Sequence, residues 1–405
     1  MNTEDYILGL IKEEAFSEFK LPIKIAEDNR YYTDLCQCLD KYETVVQSSD
    51  VIPALVKHKT AKNIAHIKNS LVFYYSGKFE KAKKEIEEII DCYLETPLIS
   101  KIDESPAFYG FLDIDSGIEP TFFRARVGRG EYSHSDLLPI PMTLRQKIST
   151  QRFSVPGIPC FYLGSTSYCC WLEMDKPRDE EFNVSAVKLC GDKKILDLAF
   201  DMTTLNMINI YGQVDNPKTI TLRTDFKKIA ENMIELWPLV CATSFVNKNH
   251  TTTFRSEYII SQIIMQIVSE LPDVYGIAYL SKRIDNNLES GAFPLAVNLV
   301  IPNLQNVDSF EDYNHSKKYS DQLYGVEMSQ PFNFMDYIKF SIHLREAAKM
   351  DDLIWRSTLA NEHNSRLSVL DSELIPYYRT YFGRFDDYLN CRINQSISSE
   401  NNLID

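Results

Sequence analysis

Two periods of apolar and polar positions divide the chain. Ala82, Ile86, Ile89, Ile90 and Tyr93 recur at three- and four-residue spacing. Lys83, Lys84, Glu85, Glu87 and Glu88 fill the other face, which predicts an amphipathic helix packed on one side. A second helix is expected over Asn69 to Tyr75, with Gly77 at the turn between them. Residues 1–105 read as a helical region. The texture shifts near Pro97 to Pro106. Short β-rich runs then appear at Thr121–Val127, Pro159–Gly164, Val184–Leu189, Ile195–Leu198, Gly276–Leu280 and Leu295–Ile301. One clear helical stripe interrupts them over Glu257 to Val268. Strands and helices do not alternate regularly, so the fold class is α+β rather than a doubly wound sheet. Residues 106–305 form this mixed region. Residues 306–405 return to a polar, helical texture, and the tail after Cys391 reads as frayed.

Composition narrows the function classes. Hydrophobic residues at 44% and charged residues at 25% exclude a disordered or rod-like chain of 405 residues. The balance of 43 basic against 57 acidic residues gives a net charge of −14, which argues against direct nucleic-acid binding. No apolar run approaches membrane-spanning length, and the acidic start Met1-Asn2-Thr3-Glu4-Asp5 lacks a signal peptide's basic region, so no membrane partner is expected. Nine cysteines, an odd number, read as reduced thiols in a cytoplasmic protein. Cys36-Gln37-Cys38 and Cys169-Cys170 have the wrong spacing for a zinc site, so no metal and no cofactor are expected. Gly128-Arg129-Gly130 reads as a turn after a strand. Ser133-His134-Ser135-Asp136 reads as a polar loop rather than a triad, which is assembled in space and not from sequence neighbours.

Residues 121–173 stand apart. Arg124 and Arg126 lie on an apolar strand, and Arg152 precedes a Ser-Val-Pro-Gly turn. Tyr162 follows on a short strand, and Glu173 lies on an expected helix. Two kinds of group are gathered there: arginines suited to a diphosphate, and an aromatic ring with a carboxylate suited to a reactive glycosidic bond.

The run Gln151-Arg-Phe-Ser-Val-Pro-Gly-Ile-Pro-Cys-Phe-Tyr-Leu-Gly-Ser165 resembles the central motif of the long form of the RES domain family. Phe254 to Gln262 resembles that family's later helix. Gly276-Ile-Ala-Tyr-Leu-Ser281 resembles the strand ending in its serine, and Asn298 to Pro302 resembles its closing strand. The ordered matches span about residues 120–302. The resemblance implies an ADP-ribosyltransferase-like mixed sheet between helical flanks. It implies a bacterial toxin-like enzyme that degrades NAD by hydrolysis or phosphorolysis, with inorganic phosphate as a possible co-substrate and a cognate antitoxin as partner. Carried over, the catalytic residues are Glu173, Arg124 and Ser281. The NAD-binding residues are Arg124, Arg152, Tyr162 and Ser281, with Arg126 as a neighbour.

That chemistry is coherent. Arg124 or Arg152 would bridge phosphate oxygens. Tyr162 would stack on nicotinamide, and Glu173 would stabilise the cation that develops on ribose. Ser281 would hydrogen-bond the ligand, and an antitoxin would present a carboxylate to Arg124 or Arg152. The alternatives are ADP-ribosyl transfer to a macromolecule and a non-catalytic nucleotide-sensing or scaffold protein. The chain departs from minimal members in its long flanks and in the spacing from Glu173 to Ser281, which places an insertion within residues 199–235.

Overall fold

The computed structural model describes residues 19–25, 30–109, 120–133, 136–140, 142–155, 157–189, 193–201, 217–247, 254–283, 296–302, 326–348, 358–362, 365–370, 373–377 and 380–401. His134, Ser135 and residues 202–216 of the expected insertion lie outside them.

Helices open the described chain. They are α1 (Tyr31–Ser48), α2 (Ala54–Tyr75) and α3 (Phe79–Ile90). Gly77 sits between α2 and α3 with φ of 71°, the left-handed conformation that glycine adopts without a Cβ clash. The apolar stripe read from the sequence is buried: Ala82, Ile86, Ile89 and Ile90 all face the core.

The six expected strand runs are all present. They are β3 (Thr121–Val127), β4 (Cys160–Gly164), β5 (Phe182–Leu189), β6 (Lys194–Leu198), β8 (Val274–Leu280) and β9 (Val297–Pro302). Outer strands β2 (Ile99–Lys101) and β10 (Val326–Met328) complete the sheet order β10-β5-β3-β4-β9-β8-β6-β2, and β11 (Phe332–Asn333) also pairs with β5. All neighbours are antiparallel except β6 and β8. The α+β class therefore holds.

One junction in this sheet is unusual. β3 pairs with β5 over seven residues, but with β4 only at Phe123 and Gly164. The two strands splay apart there, and the splay opens one side of the cavity described below.

Helices cover both faces. The first layer contains α1–α3, α5 (Pro217–Ala242) and α6 (Ile259–Glu270), packed over β6, β8 and β9 in one apolar cluster. The second contains α4 (Ser167–Glu173), α7 (Phe334–Ala348) and α8 (Tyr381–Asn401), packed over β3 and β5. The first cluster draws residues from Phe19 to Val326, so α1–α3 share apolar packing with the sheet.

Among the described residues, the end of the expected insertion lies in a core helix. Ala230, Met233, Ile234, Trp237, Val240 and Cys241 of α5 are buried. Pro238 lies inside α5 and has no N–H for the carbonyl four residues earlier, Ile234. The Tyr42 hydroxyl donates to that carbonyl at 3.0 Å, and the Tyr42 ring stacks on Trp237 at 4.2 Å. Asn63 Nδ2 likewise donates to Glu235 O at 2.8 Å. The carbonyl freed by the proline is thus satisfied by α1, and α2 bonds the neighbouring one.

The C-terminal reading needs two corrections. Residues 306–405 are not simply helical. Val326–Met328 and Phe332–Asn333 join the main sheet, and β12 (Thr358–Glu362), β13 (Ser365–Leu370) and β14 (Glu373–Pro376) form an antiparallel meander. Freedom from Gly and Pro is permissive for helix, and alternating residues such as Leu367 and Val369 served strands as well. The tail beyond Cys391 is helical to Asn401 rather than frayed, because Phe382, Phe385, Leu389 and Ile393 repeat at helical spacing and bury that face.

The described cysteines are free thiols, with Cys38 Sγ and Cys241 Sγ 3.7 Å apart. Among the described residues no helix is long and apolar enough to cross a membrane. Among them, too, no three His, Cys, Asp or Glu side chains gather around a point where a metal ion would bind.

Candidate functional site

A cavity of about 590 Å³ opens at the ends of β4, β8 and β9, within the size range of small-ligand sites. Arg124, Arg152, Tyr162 and Glu173, all expected from the sequence, line it. They come from β3, the loop before β4, β4 itself and the end of α4.

Glu173 is placed by close packing of α4 on the sheet. Thr166 caps that helix by accepting from Cys169 N at 3.0 Å. Gly164 lets the helix approach. A Cβ there would meet Cys170 Sγ at 2.9 Å and Thr166 O at 3.1 Å. Cys170 Sγ reaches Phe123 O at 3.2 Å, and Asp386 of α8 accepts from Ser167 N at 3.1 Å. One carboxylate oxygen of Glu173, Oε1, then accepts from Ser281 Oγ at 2.6 Å and Asn298 Nδ2 at 2.7 Å. Hydrogen bonds to an ionised carboxylate are short and strong, so they fix the group's position.

Ser281 is brought to the site as a hydrogen-bond partner of Glu173. It is buried, it does not line the cavity, and it holds Glu173.

Arg124 reaches across the splay between β3 and β4. Its Nη1 donates to Tyr162 O at 2.7 Å and its Nε to Leu137 O at 2.5 Å. The Tyr162 carbonyl sits on the strand edge that β3 leaves unpaired, so Arg124 replaces a missing ladder bond while standing in the cavity wall. Arg126, two residues on, lies outside the lining. It donates to Asp136 O at 2.6 Å and lies over the Tyr132 ring.

Tyr162 Oη is 2.8 Å from Ser154 Oγ, a residue of the central run. Burial raises its hydroxyl well above the ordinary range, so it stays neutral. Arg152 donates to Thr243 O at 2.8 Å and Phe245 O at 2.9 Å, and lies 4.8 Å from the centre of the Tyr258 ring. Those carbonyls border β7 (Phe245–Asn247), which pairs in parallel with β1 (Ile23–Ile25). The N-terminal segment thus braces one cavity wall.

Asn298, Lys282, Arg255 and Arg283 also line the cavity and were not singled out from the sequence. Asn298 is the second residue of an otherwise apolar strand and is buried, a polar position that signals a fixed partner. Lys282 directly follows Ser281, with Nζ donating to Ser244 Oγ at 2.7 Å. Burial and the Arg152 charge lower its amine to about 7. Arg255 pairs with the buried Glu257 at 3.6 Å. Five cations (Arg124, Arg152, Arg255, Lys282 and Arg283) and two carboxylates line the cavity of an acidic protein, a local field that attracts anions.

The chain is similar to a Bacillus subtilis (strain 168) protein named "Putative toxin YopC", with 33% identity over 251 residues. The match covers 60% of this chain and 53% of that protein, so the chain spans about half the length of the curated relative it matches. No known protein family matches the chain. No solved structure matches it either.

Proposed function

We propose that this chain is a RES-type, toxin-like enzyme that cleaves the nicotinamide–ribose bond of NAD. The observation that carries the reading is the Glu173 carboxylate, fixed on one oxygen by Ser281 and Asn298 in a cavity lined by Arg124, Arg152 and Tyr162. The name of the Bacillus subtilis relative supports a toxin-like role.

In this mechanism the C1′–N bond breaks heterolytically. The electron pair leaves with nicotinamide, which becomes neutral, and positive charge develops on the ribose. Glu173 Oε2 faces that charge, while Oε1 stays anchored and holds the carboxylate in place without reorganisation. The neutral Tyr162 ring offers a face to nicotinamide. An oxygen of water or inorganic phosphate then bonds to C1′. With water as acceptor, the proton it releases passes to solvent. A protein antitoxin would inhibit by offering a carboxylate to the cavity arginines in place of phosphate.

The purified chain is incubated with NAD, with and without phosphate, and products are separated by chromatography. Nicotinamide release is expected, phosphate-dependent for a phosphorylase and independent for a glycohydrolase. Glu173→Gln should lower the rate at least about 100-fold, as loss of a charge aimed at a transition state does. Unchanged turnover in that variant, or NAD left intact in both conditions, refutes the reading. Labelled protein or nucleic acid in place of free products would instead establish ADP-ribosyl transfer.

A further inference from the structure

We propose that Arg152 and Lys282 form a phosphoryl-binding subsite in the cavity wall, whose anion supplies the counter-charge that the fold withholds. The subsite rests on the reading above for its role in catalysis, but the argument for its existence uses only charge and geometry.

Both cations are anchored to the same short stretch, residues 243–245, where α5 gives way to β7. Arg152 donates to the Thr243 and Phe245 carbonyls, and Lys282 donates to the Ser244 hydroxyl. All three acceptors are neutral. The neighbouring cavity cations are matched differently: Arg255 pairs with Glu257, and Arg283 with Asp175. Among the described residues no carboxylate forms an ion pair with Arg152 or Lys282. Two adjacent cations facing a cavity without a counter-ion are costly, and a bound anion removes the cost.

The Lys282 amine registers this cost. Burial is the largest cause of its fall to about 7, followed by the Arg152 charge. Asp201 after β6, Glu173 on α4 and the Cys241 thiol of α5 pull weakly the other way. Arg152 cannot turn aside, because two carbonyls and the Tyr258 ring hold its plane. A fixed guanidinium beside an ammonium suits a tetrahedral dianion. The phosphoryl group could be part of a dinucleotide's diphosphate or a free phosphate acceptor. Either way its arrival favours the charged amine, so binding should take up about half a proton at pH 7.

The test is calorimetric titration of the full chain with three probes. Sulfate does not titrate near neutrality, so it isolates Lys282. It should bind about tenfold more weakly at pH 8 than at pH 6, with proton uptake seen as a heat that changes with buffer. Inorganic phosphate and inorganic pyrophosphate distinguish the sources: tighter phosphate binding points to an acceptor site, and tighter pyrophosphate binding to the dinucleotide. Lys282→Met should weaken anion binding at least about tenfold and abolish uptake. Lys282→Arg should restore binding without uptake, which separates charge from folding. Failure of all three anions to bind the wild type, or unchanged binding and uptake in Lys282→Met, overturns the subsite. Anion binding without NAD turnover would instead sink the catalytic reading and leave the subsite standing.

Discussion

Asp386→Asn tests how the C-terminal helix is held against α4. Asp386 is buried on α8. Its Oδ1 accepts from Ser167 N at 3.1 Å, and its Oδ2 accepts from Tyr377 Oη at 2.8 Å. Among the described residues no lysine or arginine forms an ion pair with it. Burial is the largest cause that raises its pKa from 3.8 to about 7, and the charge of Asp387 adds to it. Between those two values the native state holds a proton that the unfolded chain has released. Stability therefore falls as pH rises from about 4 to about 7, and this group adds no further slope above that. A shift of about three units corresponds to about 4 kcal/mol. Asparagine resembles the protonated carboxyl and does not titrate. The variant should match the wild type near pH 4.5 and exceed it by up to about 4 kcal/mol at pH 8. Urea denaturation followed by tryptophan fluorescence at both pH values measures the difference. An asparagine variant less stable than wild type at pH 8, or an equal difference at both pH values, refutes the argument.

Two further outcomes follow from the packing of Glu173. Ser281→Ala removes one of two hydrogen bonds to Oε1. NAD turnover should fall about 10- to 100-fold, the range for a bond of about 1.5–3 kcal/mol to a charged group, while thermal melting reports whether the fold is kept. Gly164→Ala puts a Cβ 2.9 Å from Cys170 Sγ and 3.1 Å from Thr166 O. Overpacking of this kind costs about 1–3 kcal/mol, read as a lower urea midpoint, and an unchanged midpoint would mean that α4 is not held as tightly as the distances imply.

The strands were legible because their signal is local. Each central run is a short apolar segment rich in β-branched or aromatic residues and ended by polar or turn residues, and that shortness and composition mark it as a strand. Glu173, Arg124, Arg152 and Tyr162 were legible as a group because they gather in one stretch whose runs resemble a known family's motifs. What stayed hidden depends on contacts made far along the chain. The Ser281 hydroxyl reads equally well as a ligand contact or a strand-end group until Glu173, 108 residues away, is placed against it. Asp386 lies 219 residues from the helix start it caps. Lys282 looks like any surface lysine until burial and Arg152 are brought around it. The meander at 358–376 was missed because its residues suit either period, and pairing between strands decides the matter.

Those distant contacts also bear on what the flanks are for. They could form separate recognition modules, in which case the central region would hold its site alone. The packing argues otherwise. α1 satisfies the carbonyl freed by Pro238 in α5, α2 bonds the next one, and α5 runs directly into the residues that anchor Arg152 and Lys282. β1 pairs with β7 along the same wall. On the opposite face, α8 caps the helix that delivers Glu173. The N-terminal flank therefore shapes the cationic wall and the C-terminal flank secures the carboxylate. A regulator that displaced either flank would act on the site through positions already in the fold, without entering the cavity.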